Sequence, residues 1–309
     1  MNRISFVVPA HNEEDNISRC IYNLLEYKRK EDEIIVGLDA CIDKTEEYVR
    51  LFGMNFIKSE QNIGKHGILK KLIKKSHGEI IIIHDADWFL SGQKPLSALI
   101  KYFDDKKVGG IANSFSMTFA NRNICKGIAY LGDAWCDYFL NEFKKTYYTK
   151  RENGILYVDE KKMFFPFFLN VIRRELITEA ITGADDLERV LDIIRKGYKI
   201  VILEDEEIPH QIVQYNYISL PNLYKQKLRG HLARKQIKRH YNYSTSVRKF
   251  YLPMTIFLLR KMLKIHSIKM VASMSVWIGI TAISYIHALI LNSMGHVTTE
   301  RLWKEMRIR

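Results

Sequence analysis

Cysteine, proline and glycine are all scarce in this 309-residue chain, at 4, 6 and 16 residues. The cysteines, Cys20, Cys41, Cys125 and Cys136, include no C-x-x-C pair, which excludes a zinc ribbon and a disulfide framework and suits reduced thiols in a cytosolic compartment. Few prolines and glycines beside 47% hydrophobic and 27% charged residues exclude a collagen-like or extensively disordered chain. Internal repeats and low-complexity tracts are missing too. Met1-Asn2-Arg3 leads straight into a short apolar segment containing Pro9, with no long apolar leader, so the N-terminus is expected to stay in the cytoplasm. Neither G-x-G-x-x-G after the first strand nor G-x-x-x-x-G-K-[ST] occurs, which removes the usual dinucleotide and P-loop phosphate cradles.

Acidic residues are also absent from one long stretch. Between Ile208 and Thr299 there is no Asp or Glu, while thirteen of the 48 basic residues fall there, from Lys225 to Lys269. The remaining 35 basic residues match the 35 acidic ones, so the net charge of +13 belongs to one module and the rest is neutral. A nucleic-acid binder is not expected from that distribution; a basic face toward an anionic membrane surface is.

The first two hundred residues alternate apolar runs with helical patterns, the mark of β-α-β units, and predict an α/β fold with a mainly parallel central sheet. Strands are expected at Ile4 to Val8, Glu33 to Leu38, Asn55 to Lys58, Glu79 to His84, Val108 to Asn113 and Tyr198 to Leu203. Ile17, Ile21, Leu24 and Leu25 are read as one helical face, and Ile68, Leu69, Leu72 and Ile73 as another. A third helix is expected from Asp185 to Lys196, ended by Gly197. Val271 to Met294 carries no charged residue over 24 positions, long enough to cross a bilayer; its serines, threonine and His287 leave a buried or in-plane helix open. The expected organisation is a catalytic domain over 1–207, a basic helical region over 208–268 facing the membrane, and a hydrophobic helix within 269–309 forming a single span.

Ligands of an open α/β sheet sit outside the carboxyl ends of its strands. There the first strand delivers Pro9-Ala10-His11-Asn12-Glu13-Glu14, the second Asp39 with Asp43 and Thr45, and the fourth His84-Asp85-Ala86-Asp87. Two carboxylates one residue apart can hold Mg²⁺ or Mn²⁺, which would bridge diphosphate oxygens; alternatively one Asp caps the next turn.

These residues, in this order, resemble the family 2 glycosyltransferases with the GT-A fold, over roughly Ile4 to Arg229. Phe6 to Glu14 is similar to that family's opening strand and base-contacting turn, and Asp39 to Thr45 to its acidic second turn. The resemblance implies that Pro9, Ala10, Asn12, Glu13 and Asp39 contact the nucleoside. By the same resemblance Lys65, in Asn62-Ile63-Gly64-Lys65, meets the diphosphate, and Asp85 and Asp87 form the metal motif, Asp85 also touching the donor. Thr182-Gly183-Ala184-Asp185-Asp186 resembles the acidic pair opening the acceptor-side helix, with Asp186 as general base and Asp185 beside it; Asp186 alternatively stabilises its own helix. Gln226 and Arg229 resemble a Gln-x-x-Arg motif that steadies the diphosphate. Gly230 and Leu38 depart from the processive polysaccharide synthases, which points to a single transfer.

The implied reaction is inverting transfer from a UDP- or GDP-sugar to a saccharide or lipid-linked acceptor, such as the polyprenyl phosphate used by dolichol-phosphate mannose synthases, on the cytoplasmic face of the membrane. His210 is a weaker candidate metal ligand, Trp88 a candidate sugar platform, and Met163 to Leu169 an apolar wall or core. Two rivals are a sugar-nucleotide pyrophosphorylase, whose Gly-rich turn after the first strand is missing, and a basic lipid- or nucleic-acid-binding adaptor, which leaves the neutral half unexplained.

Overall fold

The computed structural model describes residues 2–113, 117–119, 149–160, 168–179, 182–215, 220–243, six positions between 252 and 263, and 268–293. Cys125, Cys136, residues 163–167 of the apolar run and much of Phe250 to Leu259 lie outside the described residues. In chain order the elements begin with β1 (Ile4–Ala10), α1 (Ile17–Tyr27), β2 (Glu33–Asp39), α2 (Thr45–Leu51), β3 (Asn55–Ser59), α3 (Gly64–Lys75) and β4 (Ile80–Ile83). Next come β5 (Trp88–Ser91), α4 (Leu96–Ile100), β6 (Val108–Asn113), β7 (Met117–Phe119), β8 (Thr149–Glu152), β9 (Ile155–Val158) and β10 (Phe168–Arg173). The remainder are α5 (Asp185–Arg195), β11 (Lys199–Leu203), β12 (His210–Tyr215), α6 (Leu220–Tyr241) and α7 (Ile268–Ser293).

The chain divides into two compact units. The first comprises Met1–Ser116, Thr149–Ala180 and Arg189–Val213; the second comprises Met117–Tyr148, Ile181–Glu188 and Gln214–Arg309.

Among the described residues of the first unit, nine strands run in the order β3-β2-β1-β4-β10-β6-β11-β9-β8. The expected parallel pairing holds across β3, β2, β1 and β4 and between β6 and β11. It stops at β10, which runs antiparallel to both β4 and β6, so the sheet is mixed. Alternate residues sort to opposite faces, as strand geometry requires. Ile4, Phe6 and Val8 meet Ile17, Ile21 and Leu24 of α1 on one face; Val7, Ile35 and Ile81 meet Leu69 and Leu72 of α3, with Val190 and Ile193 of α5, on the other. All four isoleucines of β4 are buried, each contributing about 1.5–3 kcal/mol. One expected core position is displaced: Leu25 is 39% exposed, and Cys20 takes its place on the buried face of α1. On the helical wheel Cys20 and Leu25 flank the Ile17, Ile21 and Leu24 stripe on opposite sides, and the sheet covers the Cys20 side. Gly37 lets α3 approach β2; a Cβ there would fall 2.5 Å from Ile68 Cγ1.

In the second unit α6 packs on α7 through Leu228, Leu232 and Ala288. Polar side chains reinforce the pair. The Tyr224 hydroxyl bonds His287 Nδ1, the Lys227 ammonium sits 3.9 Å over the Trp277 ring, and Arg239 donates to Asn292 Oδ1 at 3.0 Å.

Candidate active site

The strand order reverses beside β1: β2 and β3 extend the sheet to one side, and β4 returns to the other. At such a switch point the connections diverge and leave a crevice at the carboxyl ends. The turns after β1, β2 and β4 therefore converge by topology.

The first two turns are braced against each other. Asn12 Oδ1 accepts from Ile42 N–H at 2.9 Å, Glu13 N–H donates to Thr45 Oγ1 at 2.7 Å, and Glu14 N–H donates to Asp43 Oδ2 at 3.0 Å. In return Glu14 Oε2 accepts from Lys44 N–H at 3.1 Å. Burial alone would raise the Asp43 carboxyl, but hydrogen bonds from Thr45 and Glu14 outweigh it and hold it below the usual carboxylate range. Asn12 and Ala40 both adopt left-handed backbone, at φ 56° and 51°, a conformation that costs about 1–2 kcal/mol per L-residue and collects at functional turns.

Asp39 is 1% exposed, and its two carboxylate oxygens accept from Ile63 N–H at 2.8 Å and Gly64 N–H at 2.9 Å. It thereby fixes the start of α3, where Gly64 at φ +76° makes a turn that a side chain would strain. One residue on, Lys65 Nζ meets Asp85 Oδ2 at 2.7 Å.

Asp85-Ala86-Asp87 forms a tight turn closed through the main chain, by Trp88 N–H on Asp85 O at 3.0 Å. Asp85 does more, since its Oδ1 is buried without a hydrogen-bond partner. Burial, then the charges of Asp85 and Glu13, push the Asp87 carboxyl up to about 7, with Lys65 opposing. An Asp87 carboxyl disfavoured as an anion by its acidic neighbours, beside an Asp85 oxygen with no hydrogen bond, fits a divalent cation. Among the described residues no group of three His, Cys, Asp or Glu forms a complete ligand cage.

Sequence reasoning passed over the support beneath this turn. His84 is fully buried; its Nε2–H donates to Trp88 O at 3.1 Å and its Nδ1 accepts from Gln211 Nε2 at 2.9 Å. The same Gln211 nitrogen donates to Ile83 O at 2.7 Å. Burial lowers the His84 pKa to about 4, so the ring is neutral and its tautomer is set by its two partners. No local pattern signals Gln211, which lies 127 residues from His84. Its neighbour His210, the weaker metal candidate, turns Nδ1 to Ile208 O at 2.9 Å and lines a small space with Ile82, Leu90 and Leu99. Pro9 is half-buried and Ala10 buried at the end of β1, and Trp88 is half-buried at the start of β5.

In the second unit, Asp185 is buried and Asp186 half-buried in the first turn of α5, while Gln226 and Arg229 are half-buried in the first half of α6. The structure thus brings Pro9, Ala10, Asn12, Glu13, Asp39, Lys65, Asp85 and Asp87 to one sheet edge, and carries Asp185, Asp186, Gln226 and Arg229 in the other unit.

The family model for glycosyl transferase family 2 matches residues 5–179, more than half of the chain. The chain belongs to glycosyl transferase family 2. It is a glycosyltransferase, with a mixed α/β GT-A fold, and the family transfers sugar from nucleotide-sugar donors. Among curated proteins it is similar to the poly-beta-1,6-N-acetyl-D-glucosamine synthase of Staphylococcus aureus (strain MSSA476), 27% identical over 115 residues. The synthase of Staphylococcus epidermidis is similar to the same degree. These alignments span 36% of this chain and 28% of each relative. Among solved structures, the mannosyltransferase PcManGT from Pyrobaculum calidifontis, in complex with GDP-Man and Mn²⁺, superposes with a TM-score of 0.54 at 18% identity, over 99% of this chain and 82% of that one. TarS 1-349 from S. aureus superposes with a TM-score of 0.50 at 14% identity, over 95% and 92%. At these identities the superpositions establish the shared fold.

Proposed function

We propose that this family 2 glycosyltransferase moves one sugar, with inversion, from a UDP- or GDP-sugar to a saccharide or lipid-linked acceptor, using Mg²⁺ or Mn²⁺ at Asp85 and Asp87. The observation that carries the reading is the carboxylate group itself: Asp87 is pushed up to about 7 beside Asp85, whose Oδ1 is buried and unpartnered. A bound divalent cation would neutralise charge on the departing nucleoside diphosphate. The chain's own residues supply the rest. Asp39 holds the Ile63-Gly64 turn and, with Pro9, Ala10, Asn12 and Glu13, forms the nucleoside edge. Lys65 offers its ammonium to the diphosphate. In α6 the Gln226 amide and the Arg229 guanidinium are donors suited to phosphate oxygens. Asp186 takes the proton from an attacking sugar hydroxyl. PcManGT, solved with GDP-Man and Mn²⁺, is consistent with this assignment.

Purified protein incubated with a panel of UDP- and GDP-sugars and membrane or polyprenyl-phosphate acceptor is expected to consume one donor. EDTA should stop the reaction and Mn²⁺ restore it. Consumption of no donor under any metal condition would overturn the reading.

The membrane part of the proposal is an in-plane attachment. The charge-free run predicts a span, and α7 is indeed long and apolar enough over Ser275–Ser293. What supports the in-plane alternative is its neighbour. The helix α6 carries seven Lys and Arg, and each cation at a bilayer centre costs about 2.5–3.5 kcal/mol or more. Helix α7 rests on α6 by Trp277 and Ala288 and turns Val276, Ile283, Ile286 and Ile290 outward, with Ile283 60% exposed. An apolar face beside a basic helix is the composition of an interfacial anchor. Sedimentation with vesicles should show binding to phosphatidylserine-containing membranes that 0.5 M salt weakens (roughly a Debye length under 5 Å) and alkaline carbonate releases. Retention after carbonate would favour the span, and equal recovery with neutral vesicles would remove the anionic-surface reading.

A further inference from the structure

Three successive backbone N–H groups precede the Asp185-Asp186 pair, and at a helix start such donors have no partner within the helix. Here each is assigned to a side chain. Thr182 N–H donates to Glu188 Oε2 at 2.9 Å, Gly183 N–H to Gln236 Oε1 at 2.8 Å, and Ala184 N–H to Thr182 Oγ1 at 3.2 Å. The Thr182 hydroxyl in turn donates to Glu188 Oε2 at 2.8 Å, and the Tyr241 hydroxyl donates to Glu188 Oε1 at 3.0 Å. Glu188 is 1% exposed and Thr182 fully buried. A carboxylate taken out of water needs donors of fixed geometry, so this group is costly to rearrange once formed.

Gln236 and Tyr241 come from the last two turns of α6, the helix that carries Gln226 and Arg229 and packs on α7. We infer that Tyr241 and Gln236 are positioning residues for acceptor attack: acting through Glu188 and Gly183, they fix the turn that aims Asp186. The inference rests on the reading of Asp186 as the acceptor-side carboxylate. It assigns α6 a task besides packing on α7. The helix sets the backbone on which the proton-accepting group stands, and a misplacement of about 1 Å at such a group can cost a hundredfold in rate.

The test uses the full chain, with transfer to a hydroxyl acceptor and donor hydrolysis by water measured side by side. Tyr241→Phe removes one donor to Glu188, and Gln236→Ala frees the Gly183 N–H. Each is expected to lower kcat for transfer on the order of tenfold, within the range for a displaced catalytic group, with the donor KM and donor hydrolysis unchanged. In an Asp186→Asn background neither should lower transfer further, because the group they aim is gone. Equal losses in the parent and Asp186→Asn backgrounds, or matching losses in transfer and hydrolysis, would reduce the network to plain structural support. Parent-like kcat in both variants would overturn the inference while leaving the base assignment standing. Parent-like kcat in Asp186→Asn alone would instead overturn the base assignment. If Tyr241→Phe fails to fold, Gln236→Ala decides the matter, since it leaves the Thr182 and Tyr241 donors to Glu188 in place.

Discussion

Asp87→Asn is expected to make the metal-free protein more stable than the parent while slowing sugar transfer at least a hundredfold. The two effects share one cause. Moving the Asp87 carboxyl from 3.8 to about 7 means that the folded state holds this proton more tightly than the unfolded chain does. Without metal the folded state therefore loses stability as pH rises from about 4 to 7 and bears the full cost above 7. At about 1.4 kcal/mol per unit that cost is on the order of 4 kcal/mol, and an amide of the same shape removes most of it. In EDTA at pH 8 the urea midpoint should rise. The same amide gives up a carboxylate of the proposed metal seat, whose charge stabilisation is worth several kcal/mol in the transition state, or about 10²–10³ in rate.

His84 sharpens the test because its sign is opposite. Its pKa falls from 6.5 to about 4, so its contribution is fully present above 6.5 and is lost as pH falls through 4. Between 4 and 6.5 the two groups offset each other in the parent. Without Asp87 the His84 dependence is no longer offset, and the variant should lose more stability on acidification between pH 6.5 and 4 than the parent does. A parent-like urea midpoint and pH dependence, or parent-like transfer, would contradict the account of the carboxylate group.

Asp186→Asn should lower kcat about 10²–10⁴-fold with a sugar-hydroxyl acceptor and much less with a phosphate acceptor. A hydroxyl must lose its proton as it attacks, whereas a phosphate is already ionised and gains little from a base. Measuring kcat with both acceptors tests the residue and sorts the acceptor class together. An unchanged kcat with the hydroxyl acceptor would leave Asp186 only the electrostatic task of stabilising the start of α5.

The parts of this site that could be read in the chain are those where local pattern and local chemistry coincide. The run Ile80 to Ile83 followed by Asp85 and Asp87 announces a buried strand and an acidic turn, and both are present. The hairpin joining β8 and β9 also carries a local mark, Asn153-Gly154 with positive φ at both residues, which a reading confined to strand and helix periodicity passes over. Asp39 was legible as a strand-end carboxylate, but its grip on Ile63 and Gly64 was not, because a period-two pattern contains no information about which turn lies next to it.

By itself the sequence determined that the first four strands would run parallel, that three of them would end in carboxylates, and that the excess positive charge would be confined to one module. Those properties follow from short repeats and composition, which act within a few residues. Tertiary structure decided that β10 would reverse the sheet, that Gln211 would set the tautomer of His84, and that α7 would turn its isoleucines outward beside a basic helix. It also decided that Glu188 would bind Tyr241, 53 residues away. Each of these depends on a partner far along the chain. A buried polar group must find that partner wherever the fold places it, since leaving water without one costs more than any local preference can return.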